Sequence, residues 1–142
     1  MKKHSFPVRV YYEDTDAAGI VYYANYLKFD ERARTEALRL SGIDQSELMR
    51  EQKVGFVVRR CTVDFLKPAH LDDLLTIETG LNDISKVSME LHQTVRRGAV
   101  TLVTMEVKLA VVGDGMKLAK LPDFVRKAML KILGLLDEWI IG

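Results

Sequence analysis

The sequence is poor in the residues that most often advertise a function. It has a single cysteine, Cys61, so no internal disulfide can form, and a lone thiol fits a reducing compartment. Cys61 falls in an apolar, strand-like stretch and reads as core rather than as a nucleophile. The three histidines, His4, His70 and His92, are scattered without ligand spacing, which argues against a metal site. No serine occupies a Gly-x-Ser-x-Gly elbow and no glycine-rich phosphate loop is present, which argues against a serine hydrolase and a P-loop enzyme. No hydrophobic run approaches the roughly 18 residues of a membrane span. The opening residues 1–7 carry charge without an apolar core, so they do not read as a signal peptide.

Charge of one sign is also missing. The formal net charge is +1, and basic residues gather only in pairs such as Arg59-Arg60 and Arg96-Arg97, which argues against a nucleic-acid partner. The 142 residues suit one domain, 1–142, with a real core. A composition of 48% hydrophobic and 29% charged residues is that of an ordinary soluble protein, and cytoplasmic is the expected location.

Periodicity supplies the elements. Residues 6–13 alternate as a first strand, with Val8, Val10 and Tyr12 on one face. A turn over 14–21 contains Gly19, and a helix is expected over about 24–41. Its stripe is Tyr26, Phe29, Ala33, Ala37 and Leu40, opposite Lys28, Glu31, Arg32 and Arg39. Gly42 suits the position just past the helix, and Asp44 with Glu47 resembles a capping box opening a short helix over 45–52. From Val54 the period becomes two. Residues 55–65, the set Leu75, Ile77, Thr79 and Leu81, the set from Val87 to Val95, and Val103 to Val111 read as strands, with a hairpin at Arg97-Gly98. On the 55–65 strand, Val57, Arg59, Cys61, Val63 and Phe65 are expected to share a face. Pro122 opens a terminal helix with the stripe Val125, Ala128, Ile132, Leu135 and Trp139. One strand, a long helix, a run of antiparallel strands and a last helix make an α+β chain, with the sheet wrapped about the first helix.

The densest chemistry lies in residues 11–26, which hold all five tyrosines and the acids Glu13, Asp14 and Asp16. A carboxylate just ahead of a helix start sits beside amides that lack intrahelical partners. A carbonyl placed between Asp16 and those amides would meet an attacking acid on one side and an oxyanion site on the other, where one donor is worth about 3–4 kcal/mol. The plainer reading of the same acids is a solvated turn that caps the helix.

The run Asp-Thr-Asp-Ala-Ala-Gly-Ile-Val-Tyr-Tyr-Ala-Asn-Tyr, residues 14–26, resembles the Asp-x-Asp-x-x-Gly signature of hotdog-fold acyl-CoA thioesterases of the 4-hydroxybenzoyl-CoA type. The chain is most similar to the Tol–Pal-associated YbgC subgroup in residues 8–16, in Glu31-Arg32-Ala33-Arg34-Thr35-Glu36, in Phe56-Val57-Val58-Arg59, and in Pro68-Ala69 with Leu71-Asp72-Asp73. The likeness spans roughly 6–112 and is specific in the first half. It implies a hotdog fold, Asp16 as the catalytic carboxylate, the Tyr23 amide as the donor that polarises the thioester, and Gly19 as the residue admitting the acyl group. It also implies no cofactor, since coenzyme A is part of the substrate, and a site between protomers of a homodimer or homotetramer. An acyl carrier protein is a second carrier of the same thioester, and Tol–Pal association follows from the subgroup alone. The subgroup typically has His where this chain has Tyr23, so a side-chain role there does not carry over, whereas a backbone role does.

Several further residues are candidates for substrate contact. Tyr22 would pack the helix or touch ligand. Asn25 would cap the helix or orient Asp16. Arg59, Arg60 and Lys86 are candidates for the phosphates of coenzyme A; the alternative for Arg59 and Arg60 is pairing with the acidic turn, and for Lys86 a plain surface role. A carboxylate is a weak general base at neutral pH, so direct attack through a mixed anhydride and activation of a water both stay open. Two rival functions remain. One is a hotdog hydratase or dehydratase, which usually wants a histidine near the carboxylate; this motif has none. The other is a non-catalytic module binding an acyl carrier or envelope partner.

Overall fold

A computed structural model describes residues 3–134 of the chain. Strand β1 (His4–Arg9), helix α1 (Asn25–Leu40), a short helix α2 (Gln45–Glu47), strands β2 (Gly55–Phe65), β3 (Leu74–Ile84), β4 (Ser88–Arg97) and β5 (Val100–Val112), and helix α3 (Asp123–Leu133) follow in order. The strands form one antiparallel sheet in the order β1-β3-β4-β5-β2, so β1 and β2 are its free edges. Helix α1 lies across the inner face of β1 and β3, with α3 beside it against β3.

The inward positions are largely those the alternation predicts. Leu75, Ile77, Thr79 and Leu81 of β3, Met89, Leu91, Gln93 and Val95 of β4, and the Val103-to-Val111 set of β5 are buried. The α1 stripe Tyr26, Phe29, Ala33 and Ala37 is buried against them, which is what stabilises a helix of this length in water. The α1 end is a full Schellman motif: Ile43 N donates to Leu38 O at 3.0 Å and Gly42 N to Arg39 O at 3.0 Å, with Gly42 at φ +86°. The Asp44 carboxylate accepts from the Ser46 and Glu47 amides at 2.8 and 3.3 Å, and α2 continues as a π-turn to Gln52.

Three expectations are corrected. The first strand stops at Arg9, and the chain turns through a 3₁₀ turn over Tyr12–Asp14 that leaves Tyr12 83% exposed instead of facing the core. Leu40 is also exposed, because the chain has already turned away at the Schellman motif. On β2 the strict alternation fails. A bulge between Val58 and Arg60 inserts one residue, so Phe56 and Cys61, an odd number of positions apart, both pack on the core. Leu135 and Trp139 of the expected terminal stripe lie outside the described residues.

Candidate active site

The turn between β1 and α1 is built by its own backbone. Asp16 N donates to Ile20 O at 2.9 Å and Gly19 N to Asp16 O at 3.0 Å, with Gly19 at φ +80°, and Thr15 bridges Val21. The Asp16 side chain is exposed, and its Oδ1 accepts from the Ala18 amide at 2.9 Å, an Asx turn that holds the carboxylate in one orientation. Asp14 joins this turn to the helix. Its carbonyl accepts from Tyr22 N at 2.9 Å and from Asn25 Nδ2 at 2.8 Å, while its carboxylate accepts from Tyr11 N. Asn25 therefore ties the acidic turn to the first turn of α1 and is not an N-cap, and no side chain caps the helix.

The consequence is an open helix end. Among the described residues the amides of Tyr23 and Ala24 find no acceptor, at the N-terminal pole of a 16-residue helix. Beside them lies a mainly apolar cavity of about 300 Å³ between the turn, α1 and the end of β2. Ile20, Val21, Tyr23, Tyr26, Phe65 and Pro68 line it, and Lys67 is the charged residue on its wall. The Phe65 ring stands 6.0 Å from Tyr23, edge-on, and 5.9 Å from Tyr26. Tyr22 is exposed, and its ring packs against that of Tyr23 at 4.9 Å with the planes tilted by 53°. Asp16 does not line this cavity within one protomer.

The structure thus brings together Asp16, Gly19, Tyr22, Tyr23 and Asn25. It does not bring Arg59 or Lys86 to them. Phe65, at the cavity, pairs with Val103 of β5, whereas Lys86 precedes Val87, which is bonded to Val111. Positions 103 and 111 are roughly 26 Å apart at the rise of a strand. Arg59 and Arg60 are exposed at the β2 bulge.

A buried polar cluster escaped the sequence reading. Asp30 on α1 is fully buried, and neither carboxylate oxygen has a hydrogen-bond partner among the described residues. Gln93 of β4 donates to the Asp30 carbonyl at 2.9 Å and to Thr79 Oγ1 at 3.0 Å, and accepts from Arg34 Nη1 at 2.9 Å. Burial drives the Asp30 pKa up to about 7, only partly offset by the Arg34 guanidinium. Burial likewise pushes the Cys61 thiol up, away from the reactive thiolate. The available signal was Asp30 four residues after Tyr26, on the buried side of the helix.

One sheet folded around one central helix, with acids poised at that helix's open end, is the architecture of the hotdog proteins. The solved structures agree. The chain superposes on a 1,4-dihydroxy-2-naphthoyl-CoA thioesterase from Synechocystis with a TM-score of 0.84 over 92% of this chain and 97% of that one, at 20% identity, a likeness of fold. A probable thioesterase from Bartonella henselae is 38% identical, with a TM-score of 0.81 over 84% of this chain and 99% of that one. Acyl-CoA thioesterase YbgC of Haemophilus influenzae is 46% identical over 125 residues, 87% of this chain and 92% of that protein. The chain belongs to the thioesterase-like superfamily, which it matches over residues 10–129.

Proposed function

We propose that the protein hydrolyses an acyl-CoA thioester to a free acid and coenzyme A at the open end of α1. The observation that carries this reading is the pair of amides at Tyr23 and Ala24, without an acceptor among the described residues, at the helix start into which the Asp16 turn leads. Kinship with the Haemophilus influenzae enzyme supports the substrate class. The thioester oxygen accepts from the Tyr23 amide, which stabilises the negative charge that develops when the carbonyl carbon is attacked; such a donor is worth about 3–4 kcal/mol. Asp16 either bonds to that carbon, forming a mixed anhydride that water then opens, or takes a proton from the attacking water. In both routes the C–S bond breaks and coenzyme A leaves as a thiolate. The apolar cavity takes the acyl group or the thioester arm of the substrate.

The reading includes a dimer. Strand β2 is an 11-residue free edge, flanked by the exposed Val58, Phe65, Leu66, Tyr22, Tyr23 and Leu27. Such an edge calls for a partner strand. Antiparallel pairing of two β2 strands sets the Gly55 end of one beside the Phe65 end of the other. It would thereby carry Arg59 and Lys86 of one protomer toward the other's turn, where they can meet coenzyme A phosphates, and would cover the exposed Asp16.

Thiol release from a panel of short, long and aromatic acyl-CoAs tests the activity and reads the acyl preference. The same thioester on an acyl carrier protein tests the alternative carrier. Asp16→Ala should abolish turnover, by about a thousand-fold or more, with fold and oligomer intact. Tyr23→Phe should keep kcat within about three-fold, because the proposed donor is the backbone. An unchanged kcat/KM in Asp16→Ala would remove Asp16 from the chemistry.

A further inference from the structure

We infer that Arg97, which lies outside the cavity, is a positioning residue that holds the site's wall and oxyanion donors in register through the segment 68–73. The inference rests on the reading of the site given above. Arg97 ends β4, and its Nη1 donates both to the Asp73 carboxylate at 2.8 Å and to the Pro68 carbonyl at 3.2 Å. Asp73 Oδ2 also accepts from the His70 amide at 2.8 Å, so one guanidinium and one carboxylate close the loop from Pro68 to Asp73 on itself. Asp73 is anchored in turn by Val10, whose amide donates to its carbonyl at 2.9 Å.

What this closed loop presents to the site is Ala69. Its amide donates to the buried Tyr26 hydroxyl at 3.2 Å, and its carbonyl accepts from the Val21 amide at 2.9 Å. Ile20 forms a bridge with His70 alongside. Val21 bridges Thr15, Ile20 O accepts from Asp16 N, and Tyr23 lies two residues further on. The catalytic turn and the helix start therefore share one support, which Arg97 braces at Pro68 and Asp73 while Arg9 Nη1 donates to the Asp72 carbonyl at 2.7 Å. Pro68 has no amide of its own, so its segment is tied at this point through its carbonyl, and the same residue lines the cavity. Burial pushes the Asp73 carboxyl up, but the His70 amide and Arg97 more than offset that and keep it below the ordinary range. A half-exposed ion pair by itself would count for little. This one is different in kind because it shares its donor with the backbone that carries the site.

A displacement of about 1 Å at a reacting group can cost on the order of a hundred-fold in rate. Arg97→Met should therefore lower kcat by about ten-fold or more, with KM changed by less than about two-fold, since Arg97 does not line the cavity. Arg97→Lys should recover most of that loss, because one ammonium can serve both acceptors. Asp73→Asn should fall between the two, and the double variant Arg97→Met with Asp73→Asn should be no slower than Arg97→Met, as expected for residues acting as a unit. Amide hydrogen exchange at Asp16 and Val21 should speed up in Arg97→Met, a readout independent of turnover. The inference is overturned by an unchanged kcat and exchange in Arg97→Met, or by Arg97→Lys no better than Met. It is equally overturned if kcat loss only tracks a lowered Tm in all four variants. Asp16→Ala assayed in parallel separates the two claims: activity surviving there rejects the catalytic reading, while exchange at Val21 still decides the role of Arg97.

Discussion

Two aspartates on neighbouring elements show how place sets the role of a residue. Asp16 is exposed and held by its own Asx turn, where the proposed reaction needs it. Asp30 is sealed beneath α1 with neither oxygen hydrogen-bonded among the described residues, and its proton is held to about pH 7. An unfolded aspartate loses its proton near pH 4. Between about 4 and 7 the folded state thus binds more protons than the unfolded chain, and stability falls as pH rises through that window, then levels off. At about 1.4 kcal/mol for each pH unit the whole penalty is on the order of 4 kcal/mol. Asp30→Leu should remove it, raising stability at pH 8 by about 2 kcal/mol or more and flattening the slope between pH 4 and 7. Urea unfolding at pH 5 and pH 8 checks this, and an unchanged slope would place the titration elsewhere. Helical spacing from Tyr26 puts Asp30 on the buried side, but a carboxylate on a helix stripe looks like a break in the pattern until the sheet is packed over it.

At the scale of elements, the helix ends were the most legible parts. Gly42 and Asp44 act locally, through bonds spanning a few residues, so the sequence alone carries them. Gly42→Ala meets no atom within 4 Å, so its cost is the left-handed backbone alone. It should destabilise the fold by about 1 kcal/mol and leave kcat unchanged, since α1 begins, not ends, at the site; thermal unfolding and the thiol assay together check it. The strands were legible in their centres and not at their limits. Tyr12 continues the alternation of Val8 and Val10, but the Asp14 carboxylate accepting from the Tyr11 amide turns the chain out of the sheet first. The β2 bulge was equally invisible, because one inserted residue shows only against the partner strand β5. Those details decide which β2 side chains reach the core and which face the free edge.

At the scale of the whole molecule the proposed dimer would complete the proposed site. Asp16 is exposed in the single chain, and Arg59 lies at the β2 bulge, so under the proposal it is pairing of two β2 strands that would carry Arg59 and Lys86 toward it. Val58→Glu, at an exposed position on that edge, should leave the protomer folded yet shift it to a monomer in sedimentation, with a loss of kcat/KM of about ten-fold or more. A monomer with full activity would place the complete site within a single chain. By itself the sequence determined what short-range forces determine: the order of helices and strands, the caps, the Gly19 turn and the carboxylate at its head. Only the tertiary structure decided that the Tyr23 and Ala24 amides find no acceptor among the described residues, that Asn25 ties Asp14 and does not cap, that Asp30 is buried without a hydrogen-bond partner among them, and that Arg97 meets Asp73 and Pro68. Each of these depends on which distant backbone and side-chain groups meet, and hydrogen bonding and burial between segments far apart in the chain leave no period in the sequence.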